Sequence, residues 1–349
     1  FIPVIYSMNL LYLVGNGFDC RFGLPTRYSD FLKHYEIQKP FYDDDLDKVR
    51  LLEKWKKRLF EMVKEEEKGE DVKWKDLEVT LGKLTSVFES DVDGFRYFYL
   101  DLVRSLAAYL QHIEKIEPSQ EESEKLRRDL MEPYLYLTAK EQEDFLSKLS
   151  DRKWYTDVIT FNYTSTFEVL CKDILCPNQE YPIPSFPNRN FEYGEIIHVH
   201  GKLTETEILL GVDNSDQIEN SAFRGNEDIT DILVKPCGNE NLGIRVDEEC
   251  RYFISVADVI CLFGLSLGPT DQIWWTSVKE RFLTNSSVIL LYFYFSPQEK
   301  PILATDTRPK RKARQELMAA LGIEGSEEKY RDRIFVAVNS EMFPERRNN

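Results

Sequence analysis

The stretch that decides the fold reads LLYLVGNGFD at residues 10–19 and is followed by GLPT at residues 23–26. A short apolar run that ends at Gly15-Asn16-Gly17 is typical of a buried parallel strand that opens into a loop, where missing side chains let the backbone approach a ligand. The loop lacks the third glycine of a dinucleotide fingerprint and the Gly-Lys-Ser/Thr of a phosphate loop. The stretch predicts a nucleotide site, with a tight strand-to-helix turn without a ligand as the alternative.

The composition predicts a folded, acidic protein. Hydrophobic residues make up 42% of the 349-residue chain, which suffices to bury a full core in one elaborated domain or two. The chain has 45 Lys and Arg residues against 61 Asp and Glu residues, a formal net charge of -16. Because such a chain has no positive field to hold a phosphate backbone, we expect no direct nucleic-acid binding.

The six cysteines indicate a reducing compartment. They are scattered without a Cys-x-x-Cys pair, and the sequence shows no secretory leader. Cys171 and Cys176 have no second pair of matching spacing, so no metal site is expected. No apolar run reaches the length of a membrane span. We expect a soluble cytoplasmic protein without a membrane partner, in which residues 1–7 are an extension before the first strand.

A charged segment interrupts the strand pattern at residues 43–150. It is almost free of Gly and Pro, and apolar residues such as Leu52, Trp55 and Leu59 recur at helical intervals. We interpret it as an inserted helical region of three or four helices, with breaks near Gly69, near residues 117–119 and near Pro133.

Short apolar strands are predicted again after the insertion, each followed by a helix or loop. Alternating strands and helices favour an α/β fold with a doubly wound, mostly parallel sheet of the Rossmann-like kind. The α/β domain would then comprise residues 8–42 and 151–349. Its later strands are predicted at residues 157–161, 196–200, 257–263, 288–295 and 334–338.

Two segments of this second part are predicted as loops. Residues 177–190 contain four prolines, which exclude regular structure there in our interpretation. Residues 225–243 are rich in Asp, Asn and Gly, and a passive loop is favoured over a mobile flap that covers a site.

Four predicted loops carry polar or glycine residues at the carboxyl ends of strands, where ligands bind in open parallel sheets. Each loop also has a purely structural interpretation, since Asn162 can cap a helix, His200 can be a hydrogen-bonded histidine of the core and Ser266 can begin a helix. Their coincidence favours a ligand crevice. The four loops are Gly15-Asn16-Gly17, Asn162-Tyr163-Thr164, His200-Gly201 and Gly264-Leu265-Ser266.

Several blocks of the sequence together resemble the bacteriophage abortive-infection AbiH family, from the first strand to about Trp275. The resemblance implies a role in phage defence. The blocks are GNGFD at 15–19, GLPT at 23–26 with Tyr28 and Phe31, Trp74-x-Asp76-Leu77-Glu78, FNYT at 161–164, HVHGK at 198–202, LGVD at 210–213 and GLSLG at 264–268 with Asp271.

The same order of motifs is similar, more distantly, to sirtuin-like NAD-binding domains. This resemblance implies that Asn162 positions the nicotinamide riboside and its water, that His200 is the catalytic histidine, and that NAD is the ligand. Sirtuins that deacylate proteins carry four zinc-binding cysteines in two pairs, which this chain lacks. The residues that the resemblance places around NAD are Gly15, Asn16, Gly17, Phe18, Asp19, Pro25, Thr26, Gly201, Gly264 and Ser266.

Two of these residues are of a type that a simple NAD pocket would not be expected to contain. Thr26 stands where sirtuins have an aspartate, so the nicotinamide pocket is expected to differ. A carboxylate repels a pyrophosphate, and Asp19 should therefore face ribose hydroxyls or cap the next helix, with Arg21 offsetting its charge.

The chemistry of NAD cleavage fits Asn162 and His200. Nicotinamide leaves as a neutral molecule, so the reaction needs a positioned water, a hydrogen-bonding amide and a base rather than an acid. The leading hypothesis is a sirtuin-like NAD hydrolase of phage defence. A non-catalytic sensor of NAD or an ADP-ribose derivative is the first alternative, and a deacylase or ADP-ribosyltransferase the second. A phage-derived trigger and a homo-oligomer remain open.

The two histidines of the fourth block receive different roles. Residues two apart in a strand point to one face, so His198 and His200 should share a side of the sheet. His200 lies nearer the carboxyl end and is predicted to be the base, whereas His198 is predicted to support it or to belong to the core.

Overall fold

The computed structural model describes residues 7–41, 45–66, 77–87, 91–113, 116–149, 153–172, 174–177, 179–203, 208–243, 245–298 and 306–346. Its centre is a seven-stranded sheet in the order β3-β4-β2-β1-β5-β6-β7, in which only the β3–β4 pair is antiparallel. The mostly parallel α/β fold is confirmed. The strands are β1 (Ser7–Val14), β2 (Lys153–Thr160), β3 (Glu180–Ile183), β4 (Phe186–His198), β5 (Val259–Phe263), β6 (Ile289–Tyr294) and β7 (Ile334–Val338).

Strand β1 runs through the middle of the sheet, between β2 and β5. Tyr12 and Val14 enter the core on one face, and Leu11 and Leu13 enter the core on the other. A strand that is covered on both sides needs apolar residues at every position, which explains the uninterrupted run LLYLV.

Helices cover both faces of the sheet. The first core includes side chains from α6, α7 and α8, and the second includes side chains from α12, α13 and α14. No helix among the described residues has the length and apolarity to cross a membrane. The helices are α1 (Gly17–Arg21), α2 (Tyr28–Ile37), α3 (Leu46–Glu66), α4 (Leu77–Leu84), α5 (Val92–Ile113), α6 (Gln120–Met131), α7 (Ala139–Lys148), α8 (Thr166–Cys171), α9 (Ser221–Arg224), α10 (Glu227–Leu233), α11 (Lys235–Asn241), α12 (Val246–Val256), α13 (Gln272–Thr284), α14 (Arg308–Ala320) and α15 (Glu327–Tyr330).

The described part of residues 43–150 contains five helices, α3 to α7, rather than the three or four that were predicted. Two predicted breaks are confirmed: the Ser119 hydroxyl caps α6 by accepting from the Glu122 amide, and Pro133 begins a 3₁₀ turn. The break near Gly69 lies outside the described residues. Helices α3, α4 and α5 build a third core with α2, α9 and α10, whereas α6 and α7 pack on the sheet.

Both segments that were predicted as loops contain regular structure. Pro182 lies in β3, which is an edge strand, and Pro187 lies near the start of β4, before the residues that pair with β2. Residues 225–243 include α10 and α11. Helix α10 buries Ile229 and Leu233, and a proline occupies the first turn of α11, where a missing amide hydrogen does no harm.

The segment that follows β7 returns across the sheet to α1. Met342 and Phe343 are fully buried in the first core, and the Arg346 amide donates to the Arg21 carbonyl at 2.9 Å. The end of the described chain therefore packs behind the loop that follows β1.

Candidate functional site

The loops that follow β1 and β5 meet backbone to backbone. The Gly15 amide donates to the Phe263 carbonyl and the Gly17 amide to the Gly264 carbonyl, both at 2.9 Å. A Cβ atom on Gly17 would lie 2.5 Å from the Gly264 Cα, and Gly264 itself has φ of 66°. The structure thus brings three predicted ligand glycines together, and their lack of side chains is required by this contact between the two loops.

The GLPT segment folds back onto the first loop. The Asn16 amide group donates to the Thr26 carbonyl at 3.0 Å, and the Thr26 hydroxyl donates to Asn16 Oδ1. The Pro25 carbonyl accepts from the Tyr109 hydroxyl at 2.8 Å. These bonds hold the predicted nicotinamide loop against both the sheet and helix α5.

Two residues of α1 point into the protein. The Phe18 ring is fully buried, with its centroid 5.0 Å from that of Phe167 and 5.3 Å from that of Phe343. The buried Asp19 carboxylate accepts from the Thr164 hydroxyl at 2.7 Å, which ties α1 to the loop that follows β2.

Asn162 lies between these loops and is 5% exposed. Its backbone amide donates to the Thr160 hydroxyl at 3.2 Å. Its Oδ1 atom is buried and has no hydrogen-bond partner among the described residues. A buried amide oxygen without a donor costs stability, so a ligand that supplies a donor there would gain that energy.

His198 holds the backbone of Asn162. Its Nδ1 lies 2.7 Å from the Asn162 carbonyl and its Nε2 lies 2.7 Å from Glu168 Oε1, which also contacts Lys202 Nζ at 3.0 Å. A carbonyl can only accept, so Nδ1 carries a hydrogen. Burial raises the pKa of Glu168, but the hydrogen bonds from His198 and Lys202 outweigh it and lower that pKa.

The prediction that His198 and His200 share a face of the sheet is wrong. Strand β4 ends at His198, and His200 lies in the turn that follows, before Gly201 at φ of 80°. Their partners lie on different elements, since His198 contacts Glu168 of α8 and His200 contacts Asp271, which precedes α13.

His200 is buried among aromatic and charged groups. Its ring lies 5.6 Å from the Phe161 ring and 6.2 Å from the Tyr163 ring, and its Nε2 lies 3.1 Å from Asp271 Oδ1. Burial and the charge of Lys235 lower the pKa of His200 to about 3, although Asp271 opposes them. The imidazole is therefore neutral at pH 7.

Lys235 completes a charged cluster that the sequence interpretation missed. Its Nζ lies 2.9 Å from Asp271 Oδ1 and 3.2 Å from Glu78 Oε2. Burial raises the pKa of Glu78 to about 7, with Lys235 opposing and Asp271 adding to the rise. Glu78 and Asp271 belong to the family blocks quoted above, which was the available clue. Lys235 fell in a segment that was predicted as a loop.

Four further positions complete the comparison with the sequence predictions. Ser266 is exposed and Gly201 is half-buried. Trp74 and Asp76, which share a block with Glu78, lie outside the described residues. Among the residues described, no group of three or more His, Cys, Asp and Glu side chains is placed to hold a metal ion.

A surface cleft of about 420 Å³ lies elsewhere, between α6 and β3, and is lined by charged α6 side chains and by Tyr181 and Pro182. It contains none of the predicted site residues. The candidate site is therefore placed by its buried polar groups rather than by this cleft.

Comparison with family models identifies a match over most of the chain. A family model described as bacteriophage abortive infection AbiH matches residues 11–294, well over half of the chain. The match includes Glu78, Asn162, His200, Lys235 and Asp271. No curated protein matches the chain.

Proposed function

Because the chain belongs to the bacteriophage abortive infection AbiH family, we propose that it is a phage-defence enzyme that hydrolyses NAD to nicotinamide and ADP-ribose. Asn162 binds the nicotinamide riboside and the attacking water, and His200 accepts the proton of that water. NAD depletion would then be the abortive outcome.

The observation that carries the proposal is the unsatisfied oxygen of Asn162. Its Oδ1 is buried at the carboxyl ends of the central strands and lacks a donor among the described residues. Water or a ribose hydroxyl can supply that donor. Because His198 fixes the Asn162 carbonyl, the amide is held in place before a ligand arrives.

The reaction does not require a strong base. The bond between ribose C1 and the nicotinamide nitrogen breaks with its electron pair on nicotinamide, which leaves as a neutral molecule. Water adds to the electron-poor C1, and its proton passes to neutral His200 and then to solvent. Since the developing centre is a strong electrophile, the proton can leave late, and the nearby Asp271 carboxylate stabilises the imidazolium that forms.

A second function, a sensor that binds NAD or an ADP-ribose derivative without cleaving it, is favoured by one observation. His200 is buried, and Lys235 lowers its basicity. A base with a pKa of about 3 is far from the value that suits catalysis at pH 7. The charged cluster would in that case be structural.

Products identify the function. Purified protein is incubated with NAD, with and without lysate of phage-infected cells, and the nucleotides are read by mass spectrometry. Nicotinamide with free ADP-ribose supports hydrolysis, and ADP-ribose attached to protein indicates transfer. Binding without turnover in both conditions supports the sensor. His112→Ala is the matched control for His200→Ala, since His112 is exposed near the end of α5.

A further inference from the structure

One carboxylate oxygen contacts two buried groups at the candidate site. Asp271 Oδ1 lies 3.1 Å from His200 Nε2 and 2.9 Å from Lys235 Nζ. Lys235 also contacts Glu78, which in turn accepts from the Gly211 amide at 3.3 Å. These side chains come from α4, the β4 turn, α11 and the segment before α13, so the tertiary fold alone assembles them.

The contact decides which nitrogen of His200 carries the proton. A neutral imidazole has one N–H and one lone pair. Because the anionic Oδ1 atom lies 3.1 Å from Nε2, it repels a lone pair on that nitrogen and attracts a hydrogen there. The proton therefore belongs on Nε2, and Nδ1 is the basic nitrogen.

We propose that Asp271 is a positioning residue that fixes His200 as its Nε2–H tautomer and so leaves Nδ1 to accept the proton from the attacking water. The role in hydrolysis rests on the proposed function, but the tautomer itself does not. Lys235 and Glu78 hold Asp271 in place, so helix α4 of the inserted region contributes to the orientation of the base.

The charges around His200 agree with this arrangement. Asp271 opposes the loss of basicity that burial and Lys235 cause. Without Asp271, the ring would face Lys235 with no intervening anion. The protonated imidazolium of His200 would then be disfavoured further, and the Nε2–H tautomer would no longer be favoured over the Nδ1–H tautomer.

Nitrogen NMR of the histidine rings tests the tautomer directly. The chain has four histidines, so ¹⁵N-histidine labelling gives four ring systems, which substitutions such as His200→Gln assign. We expect His200 to be neutral at pH 7, with its hydrogen on Nε2 and a lone pair on Nδ1. A hydrogen on Nδ1, or an imidazolium at pH 7, would overturn the proposal.

An isosteric variant supplies the second test. Asp271→Asn should populate the Nδ1–H tautomer, because a side-chain amide can either accept from an N–H on Nε2 or donate to a lone pair there. Asp258→Asn is the matched control: it removes a carboxylate that lies before β5 and accepts from the Asn9 amide at 3.1 Å, and it should leave the tautomer unchanged. An unchanged tautomer in folded Asp271→Asn contradicts the proposal.

Kinetics separate this proposal from the proposed function. If the protein hydrolyses NAD, Asp271→Asn should lower kcat about 10²-fold with little change in KM, the scale of losing an oriented base. Loss through KM alone would refute a role in positioning the base. The expected tautomers without any NAD cleavage would leave Asp271 as the residue that positions His200 and would reject hydrolysis only.

Discussion

The Gly17 amide donates to the Gly264 carbonyl at 2.9 Å, and this bond fastens the loop that follows β1 to the loop that follows β5. The two glycines touch through backbone atoms, so neither position has room for a side chain. The Gly-x-Gly sequence that follows this buried strand therefore has two roles. It closes the junction between two neighbouring loops, and it shapes the crevice where a ligand is proposed.

Gly264→Ala should lower the free energy of unfolding by at least about 2 kcal/mol. Its φ of 66° disfavours an L residue, and its Cβ would lie 2.8 Å from the Gly17 Cα. Denaturant unfolding measures the loss. Gly225→Ala is the matched control, because no atom lies within 4 Å of its Cβ position and its backbone is unstrained. Equal stability of the two variants would show that the loops separate easily.

Local sequence patterns predicted the central strand, the parallel sheet and the polar loops at its carboxyl edge. The run at residues 10–14 is apolar at every position because both faces are covered, and that is visible in the sequence itself. The buried cluster was not visible. Lys235 contacts Glu78 across 157 residues and Asp271 across 36 residues, so only the tertiary fold brings them together.

The prediction that the two histidines share a face was wrong because the strand ends at the first of them. Alternation predicts a shared face only while the backbone stays extended. Strand β4 ends at His198, and the turn before Gly201 redirects His200. The glycine that follows His200 was the available clue to a turn.

His200→Ala and Asn162→Ala should each cost at least about 2 kcal/mol in transition-state stabilisation while the protein stays folded. The measurement is kcat/KM for NAD cleavage, with circular dichroism as the check on folding. His198→Gln should mainly lower stability, because His198 bridges the Asn162 carbonyl and Glu168. Full cleavage by the His200 variant, together with none by a folded His198 variant, would transfer the role of base to His198.

The purified protein should contain less than one zinc ion per chain and should stay folded in chelator. The six cysteines have no paired spacing, and zinc sites that stabilise folds need such ligands. Elemental analysis and thermal unfolding with EDTA test both statements. One tightly held zinc per chain, whose removal unfolds the protein, would contradict the architecture.

Phe343→Ala should lower the free energy of unfolding by about 3–5 kcal/mol, the range for removing a buried aromatic ring. The Phe343 ring is fully buried, with its centroid 4.7 Å from that of Phe263. Its backbone amide also donates to Asp129 at 2.7 Å. The family match ends at residue 294, so the variant tests whether the segment beyond it supports the site.

Phe295→Ala is the control for that ring, because Phe295 is 66% exposed and should change stability by no more than about 0.5 kcal/mol. Limited proteolysis of Phe343→Ala should cut first near the loops that follow β1 and β5, where Phe18 loses its neighbour. Native stability in this variant would mean that residues 339–346 merely lie on the surface of the fold.

The buried carboxyl of Asp157 should make the folded protein less stable as pH rises. Burial, aided by the charge of Glu195, raises its pKa to about 7, against a single opposing bond from the Glu195 amide at 3.0 Å. Between the unfolded value of 3.8 and the folded value, the native state binds more protons than the unfolded state, so stability is lost with rising pH.

The variant Asp157→Asn lacks this loss of stability. From pH 5 to pH 8, its free energy of unfolding should therefore gain about 2–3 kcal/mol relative to the unmodified protein in urea titrations. Asp332→Asn, at an exposed carboxyl, should show no such gain. A pH-independent difference between Asp157→Asn and the unmodified protein would mean that Asp157 is ionised throughout this range.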